Sequence, residues 1–110
     1  MKEDLYRLER IYSIGDQLLG VIEQKPITHD MVLNNFETQW LVTTPLFNIG
    51  EQANCLSQEF CDAHPDIPWA QIAGLRHRLA HNYEGTNWEI ICSVLYDELP
   101  TLIPQIKEML

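Results

Sequence analysis

Leu5-Tyr-Arg-Leu-Glu-Arg-Ile-Tyr-Ser-Ile-Gly-Asp-Gln-Leu-Leu-Gly-Val-Ile22 places apolar or small residues at Leu5, Leu8, Tyr12, Gly15, Leu19 and Ile22. The gaps alternate between three and four, which is the repeat of one face of an α-helix. Lys25-Pro26 ends this helix, because proline turns the preceding residue away from helical geometry. The same period continues outward along the chain. A second, longer helix is predicted from Thr28 or Asp30. It carries Leu33, Phe36, Trp40 and Phe47 inward, is kinked or interrupted at Pro45, and runs on to about Phe60 or Cys61. His64-Pro-Asp-Ile-Pro-Trp69 reads as a turn, with Asp66 capping a third helix and Pro68 in its first turn. Gly85 signals the end of that helix. Thr86-Asn-Trp-Glu89 matches a capping box and opens a fourth, with Trp88, Ile91, Val94 and Leu95 inward. Pro100 and Pro104 are expected to kink or break it, leaving Thr101–Leu110 as a further helical turn or two. No alternating β-branched segment bounded by turn residues occurs, so no sheet is expected. The predicted fold is all-α, an up-down bundle of four to five helices.

The 110 residues suit one domain spanning 1–110, and 45% hydrophobic residues are enough for a core. No apolar run is long enough to span a bilayer, and Met-Lys-Glu-Asp-Leu-Tyr-Arg lacks the apolar stretch of a signal peptide. Cys55, Cys61 and Cys92 form no Cys-x-x-Cys pair and read as reduced structural thiols of a cytoplasmic protein. The formal net charge of −9 argues against broad, non-specific nucleic-acid binding. It leaves room for a small anion site.

One stretch stands out against that acidity: Gly74-Leu-Arg-His-Arg-Leu-Ala-His-Asn-Tyr-Glu-Gly85. Arg76 and Arg78 are the only Arg or Lys between Lys25 and Lys107, and His77 and His81 stand beside them. Arginine and imidazole gathered in an acidic chain point to an anion, with phosphate first. On a regular helix Arg76 and Tyr83, seven apart, lie within about 20° of each other, whereas Arg76 and His81 are about 140° apart. The side chains therefore flank a groove, and a partner helix or local unwinding near Asn82 would bring them together. Gly74, within this helix, costs ~1 kcal/mol relative to Ala. It reads equally as a point of close backbone approach or as a neutral small residue.

These residue types suit cleavage of a phosphodiester. A histidine can take the proton of a ribose 2′-OH and return one to the leaving 5′-oxygen. Arg76 can hold the phosphate and stabilise the charge of a pentacoordinate transition state, with Arg78 as a second phosphate contact. Tyr83 can donate a hydrogen bond or accept a transferred group. No metal or cofactor is required, because the 2′-OH is an internal nucleophile. His77 and His81 have the spacing of a zinc pair, but Arg78 stands where His-Glu-x-x-His has its Glu, and an adjacent cation opposes a dication. The plainer alternative is a solvated Arg/His face paired with Glu84 or Asp66. Trp40, Trp69 and Trp88 read as packing anchors, and the acidic residues, Glu51 and Asp97/Glu98 among them, as solvated surface.

Arg76-x4-His81-x-Tyr83 resembles the Arg-x4-His-x-Tyr signature of HepT-type toxins in the HEPN superfamily. Ile49-Gly-Glu51, Pro65-Asp-Ile-Pro-Trp69, Gly74-x-Arg76 and Leu99-Pro100 resemble that family in the same order, so the likeness covers most of the chain.

The resemblance implies a helical bundle of about five helices that forms a homodimer, with a composite cleft built from both subunits. It implies a metal-independent endoribonuclease that leaves a 2′,3′-cyclic phosphate, with Arg76 and His81 catalytic and His77 in support. The implied partner is an MntA-like nucleotidyltransferase antitoxin, for which Tyr83 is the expected AMP acceptor. AMP on Tyr83 would put negative charge where RNA phosphate binds. The few cations suit a small or structured RNA, such as a tRNA end, better than a long messenger RNA. Two other readings are a non-catalytic subunit that presents substrate to a nucleotidyltransferase, and a helical dimer with no chemistry.

Overall fold

Helix α1 (Lys2–Gln24) packs against both α3 (Phe36–Asn54) and α8 (Leu99–Glu108). The computed structural model describes residues 2–79 and 85–110. The remaining helices among them are α2 (His29–Asn34), α4 (Gln58–Ala63), α5 (Trp69–Ala73), α6 (Leu75–Leu79) and α7 (Trp88–Ser93). A π-helical segment, Val94–Glu98, joins α7 to α8. The described residues contain no strand, and the fold is the all-α bundle expected.

Because α1 must satisfy two neighbours, its buried arc is wide. Leu8, Ile11, Ile14, Gly15 and Leu18 are buried, while Tyr12, Leu19 and Ile22 pack at the edge. The stripe read from sequence is thus turned toward one side of the true face, and Leu5 is 45% exposed. A side chain on Gly15 would collide with Ile103 of α8, so the small residue sets that helix contact. Asp4, buried near the start of α1, accepts from the Ser57 backbone N–H (2.8 Å) and hydroxyl (2.7 Å). These bonds hold its carboxyl below the usual carboxylate range. They pin α1 to the loop after α3.

α3 is the central helix, touching α1, α2, α5 and α6 through a row of Val42, Leu46, Ile49 and Ala53. Three expectations for this region are corrected. The helix does not start near Thr28. Thr28 caps the short α2, and Asn35 ends α2 and caps α3 by accepting from the Thr38 N–H. Buried Gln39 donates to the carbonyls of Val32 and Leu33, satisfying α2's last turn across the break. Pro45 lies inside α3 without ending it; the helix stops at Asn54, and α4 is a separate helix capped by Ser57. Finally, Phe36 (57% exposed) and Trp40 (56%) face outward, stacked edge to face at 4.9 Å.

The turn before α5 forms as expected. Trp69 is buried and donates to the His64 carbonyl. Asp66 does not cap the helix: Pro68 occupies that position with no side-chain bond. The capping box is displaced by one residue, since Asn87 rather than Thr86 accepts from the Glu89 and Ile90 N–H groups. Ile91, Val94 and Leu95 are buried, and Trp88 packs at the edge of the core. Pro100 and Pro104 both sit within α8. Neither breaks the rod; at Pro100, the widened π turn just before it gives its ring room against the carbonyl four residues earlier.

Candidate active site

α5 and α6 form one helical arm with a turn at Gly74, whose carbonyl accepts from the N–H groups of His77 and Arg78. Among the described residues of the chain, Gly74 meets only its own arm's backbone. The close approach to another element is at Gly50 on α3. A Cβ there would lie 2.9 Å from the Arg76 backbone nitrogen and 3.3 Å from both the Ile72 carbonyl oxygen and the Leu75 Cβ. The missing side chain lets the arm sit directly on α3, with Leu75 and Ile72 buried in the seam.

This contact decides where Arg76 points. Its Nη1 donates to Oε1 of Glu51, the residue after Gly50, at 3.0 Å. The pair is partly open, with side-chain exposures of 31% for Arg76 and 40% for Glu51. The Nε of Arg76 is buried and has no hydrogen-bond partner among the described residues. The donors at the outer end of the guanidinium are therefore the ones a phosphate can reach.

Arg76, His77 and Arg78 are successive on α6 and diverge by about 100° per residue. His77 is exposed. Arg78 lines a different feature, a cleft of about 420 Å³ between the arm, the π segment and α8. Its floor includes Ile72, Leu75 and Leu102, and Asp66, Asp97 and Glu98 also line it. The two arginines read together as phosphate contacts thus face different surroundings. The Thr86 hydroxyl donates to the Arg78 carbonyl at 3.3 Å, tying the chain after the motif back to α6. His81 and Tyr83 lie outside the described residues, as does the expected end of this helix.

Glu51 reads in the sequence as solvated surface and as part of the Ile49-Gly-Glu51 likeness, and its contact with Arg76 is what the structure adds. A signal existed: a glycine on the buried face of a helix, followed at once by an acid. The partner, however, is 25 positions away. Burial pushes the Cys61 and Cys92 thiols up, and Cys92 donates weakly to the His29 carbonyl.

An all-α bundle that presents a half-buried arginine, aimed by an acid from its central helix, beside a His-rich motif defines a class of candidate phosphodiester-handling proteins. The chain matches the model of the family described as "Ribonuclease HepT-like" over residues 1–109, and it belongs to that family. It is 33% identical over 101 residues to "Putative RNase MJ0127" of Methanocaldococcus jannaschii, covering 91% of this chain and 84% of that protein. It is 32% identical over 88 residues to "Probable ribonuclease HepT" of Thermococcus cleftensis, covering 78% and 80% respectively. No solved structure matches.

Proposed function

We propose that this protein is the toxin of a toxin–antitoxin pair, a metal-independent endoribonuclease acting in the cytoplasm. The observation that carries the reading is the aimed, partly open guanidinium of Arg76 in a chain of the HepT-like ribonuclease family. In the proposed reaction His81 takes the proton of a ribose 2′-OH. The 2′-oxygen bonds to phosphorus, and the P–O5′ bond breaks. The leaving 5′-oxygen receives a proton, giving a 2′,3′-cyclic phosphate and a 5′-hydroxyl. Arg76 stabilises the extra negative charge of the pentacoordinate phosphorus, and His77 supports the proton traffic. RNA is the substrate, and the few cations favour a small or structured one such as a tRNA end over a long messenger RNA.

Activity is switched off by an MntA-like nucleotidyltransferase. The Tyr83 phenol oxygen attacks the α-phosphorus of ATP, releasing pyrophosphate and leaving AMP on the tyrosine.

The working unit is a homodimer. Phe36, Trp40 and Phe47 fall within about 40° on α3, and residues 38–50 carry no charged side chain. An aromatic, charge-free face is the kind through which two copies of an acidic chain can meet. That face runs along α3 toward Glu51. No helix among the described residues is long and apolar enough to cross a membrane.

Expression of the chain alone tests the reading. Wild type should arrest growth, and Arg76→Ala and His81→Ala should not; purified protein should cut RNA in the presence of EDTA. Wild type that is as harmless as the variants and leaves RNA intact would instead favour a substrate-presenting subunit. Co-expression with an MntA-like nucleotidyltransferase should add AMP by intact mass, and Tyr83→Phe should abolish the adduct.

A further inference from the structure

The Arg76–Glu51 pair has an unusual construction for a merely structural ion pair. It is a single contact, Nη1 to Oε1, where an arginine and a carboxylate can form a two-point fork. Nη2 makes no hydrogen bond among the described residues, while Nε is shut off from solvent on the inner side. Both partners keep part of their surface in water. The position of the pair is fixed from beneath: Gly50 lets the backbone at Arg76 rest on α3, so the residue after Gly50 and the side chain of Arg76 emerge side by side. An exposed pair of this kind adds little to stability, typically under about 1 kcal/mol. Its effect on an incoming anion is larger in proportion, because a phosphate and the Glu51 carboxylate are like charges bidding for one guanidinium.

We propose that Glu51 is a positioning residue for Arg76. Its carboxylate aims the guanidinium outward along its Nη2 edge and tempers the arginine's hold on phosphate, so that a bound phosphodiester shares Arg76 with Glu51. This inference rests on the reading of Arg76 as the phosphate-holding residue. It assigns Glu51 two separable effects. The hydrogen bond sets direction, which governs turnover. The negative charge sets affinity for the phosphodiester. Glutamine keeps an oxygen that can accept from Nη1 and removes the charge; alanine removes both.

The test uses the full-length chain and two readouts. The first is binding of a fluorescent 2′-O-methyl oligoribonucleotide, whose blocked 2′-oxygen prevents cleavage. The second is steady-state cleavage of the matching RNA. Glu51→Gln should bind the probe about two- to fivefold more tightly, with KM lowered to match and kcat within about twofold. Glu51→Ala should lose at least about tenfold in kcat through misaimed Arg76, with thermal unfolding near that of wild type. Glu37→Gln, an exposed acid at the start of the same helix, controls for the general gain of removing one negative charge. In an Arg76→Ala background the extra effect of Glu51→Gln over Glu37→Gln should vanish. If Glu51→Gln tightens binding no more than Glu37→Gln, or tightens it equally without Arg76, the inference is overturned. A wild type that cuts no RNA but shows the Arg76-dependent gain in probe binding would refute the ribonuclease reading and leave the role of Glu51 standing.

Discussion

Gly50→Ala isolates the contact on which the site is built. The new methyl carbon would lie 2.9 Å from the Arg76 backbone nitrogen and 3.3 Å from the Ile72 carbonyl oxygen. Ordinary contact begins near 3.4 Å, so the gap to Arg76 must open by about half an ångström. Both obstructing atoms are backbone, so no side-chain rotation relieves the clash; the arm must lift from α3. Overpacking of this kind costs about 1–3 kcal/mol. It is offset by the helix-propensity gain of replacing glycine with alanine, about 1 kcal/mol. The net expectation is a loss of about 0–2 kcal/mol, with the arm displaced and the Arg76–Glu51 bond lengthened. The internal standard is Gly20→Ala on α1, where a Cβ meets nothing within 4 Å. That variant should gain about 0.5–1 kcal/mol, or a few degrees in Tm for a chain of this size. Urea titration of both variants, with oligonucleotide binding measured alongside, gives the comparison. A Gly50→Ala protein as stabilised as Gly20→Ala, with unchanged binding, would refute the claim that the α3 contact positions Arg76.

Three further outcomes are expected. Asp4→Asn should cost about 2–3 kcal/mol by weakening two charge-assisted bonds to Ser57. Because the folded-state pKa of Asp4 is lowered, its contribution is complete above the ordinary value of 3.8 and is lost as pH falls below it. The gap in Tm between wild type and variant should therefore shrink in acid; a gap independent of pH would exclude the ionised carboxylate as its source. Iodoacetamide should label exposed Cys55 first and buried Cys92 last, since burial raises the Cys92 thiol and reduces its thiolate fraction; peptide mass mapping reads the order. Phe36→Ser with Trp40→Ser should leave unfolding stability within about 1 kcal/mol of wild type, because both rings are more than half exposed. The pair should shift sedimentation from dimer to monomer, and a large loss of stability with unchanged sedimentation would place the rings in the subunit's own core.

The helical class was legible because period and punctuation agree: spacings of three and four, Pro26, the Pro-Asp-Ile-Pro turn. Orientation was less so. On α1 two overlapping apolar rows exist, one through Leu8 and Tyr12 and one through Ile11, Ile14 and Leu18. Only the presence of both α3 and α8 selects the arc between them. On α3 the largest side chains, Phe36 and Trp40, suggested the inner face. The smaller Val42, Leu46 and Ile49 occupy it, and a sequence does not distinguish a core from a surface awaiting a partner. Asn35 was a missed breaker, since its side chain serves a backbone cap that a periodicity reading does not register. At the site, Arg76 was found by charge contrast with its surroundings. Glu51 stands in the Ile49-Gly-Glu51 stretch that carries part of the family likeness, but its pairing with Arg76, 25 positions away, has no sequence signal.

The π segment between α7 and α8 has a consequence for how this bundle tolerates change. One surplus residue in a helix advances everything beyond it by about 100°. α7 meets α2, while α8 meets α1, with Ile103 against Gly15. A single rod therefore serves two differently placed neighbours because its two halves are out of phase. Removing one residue anywhere from Val94 to Glu98 would bring the halves into phase and swing the apolar row of α8 away from Gly15, whereas most point substitutions there would leave that phase untouched. At this joint the count of residues matters more than their identity.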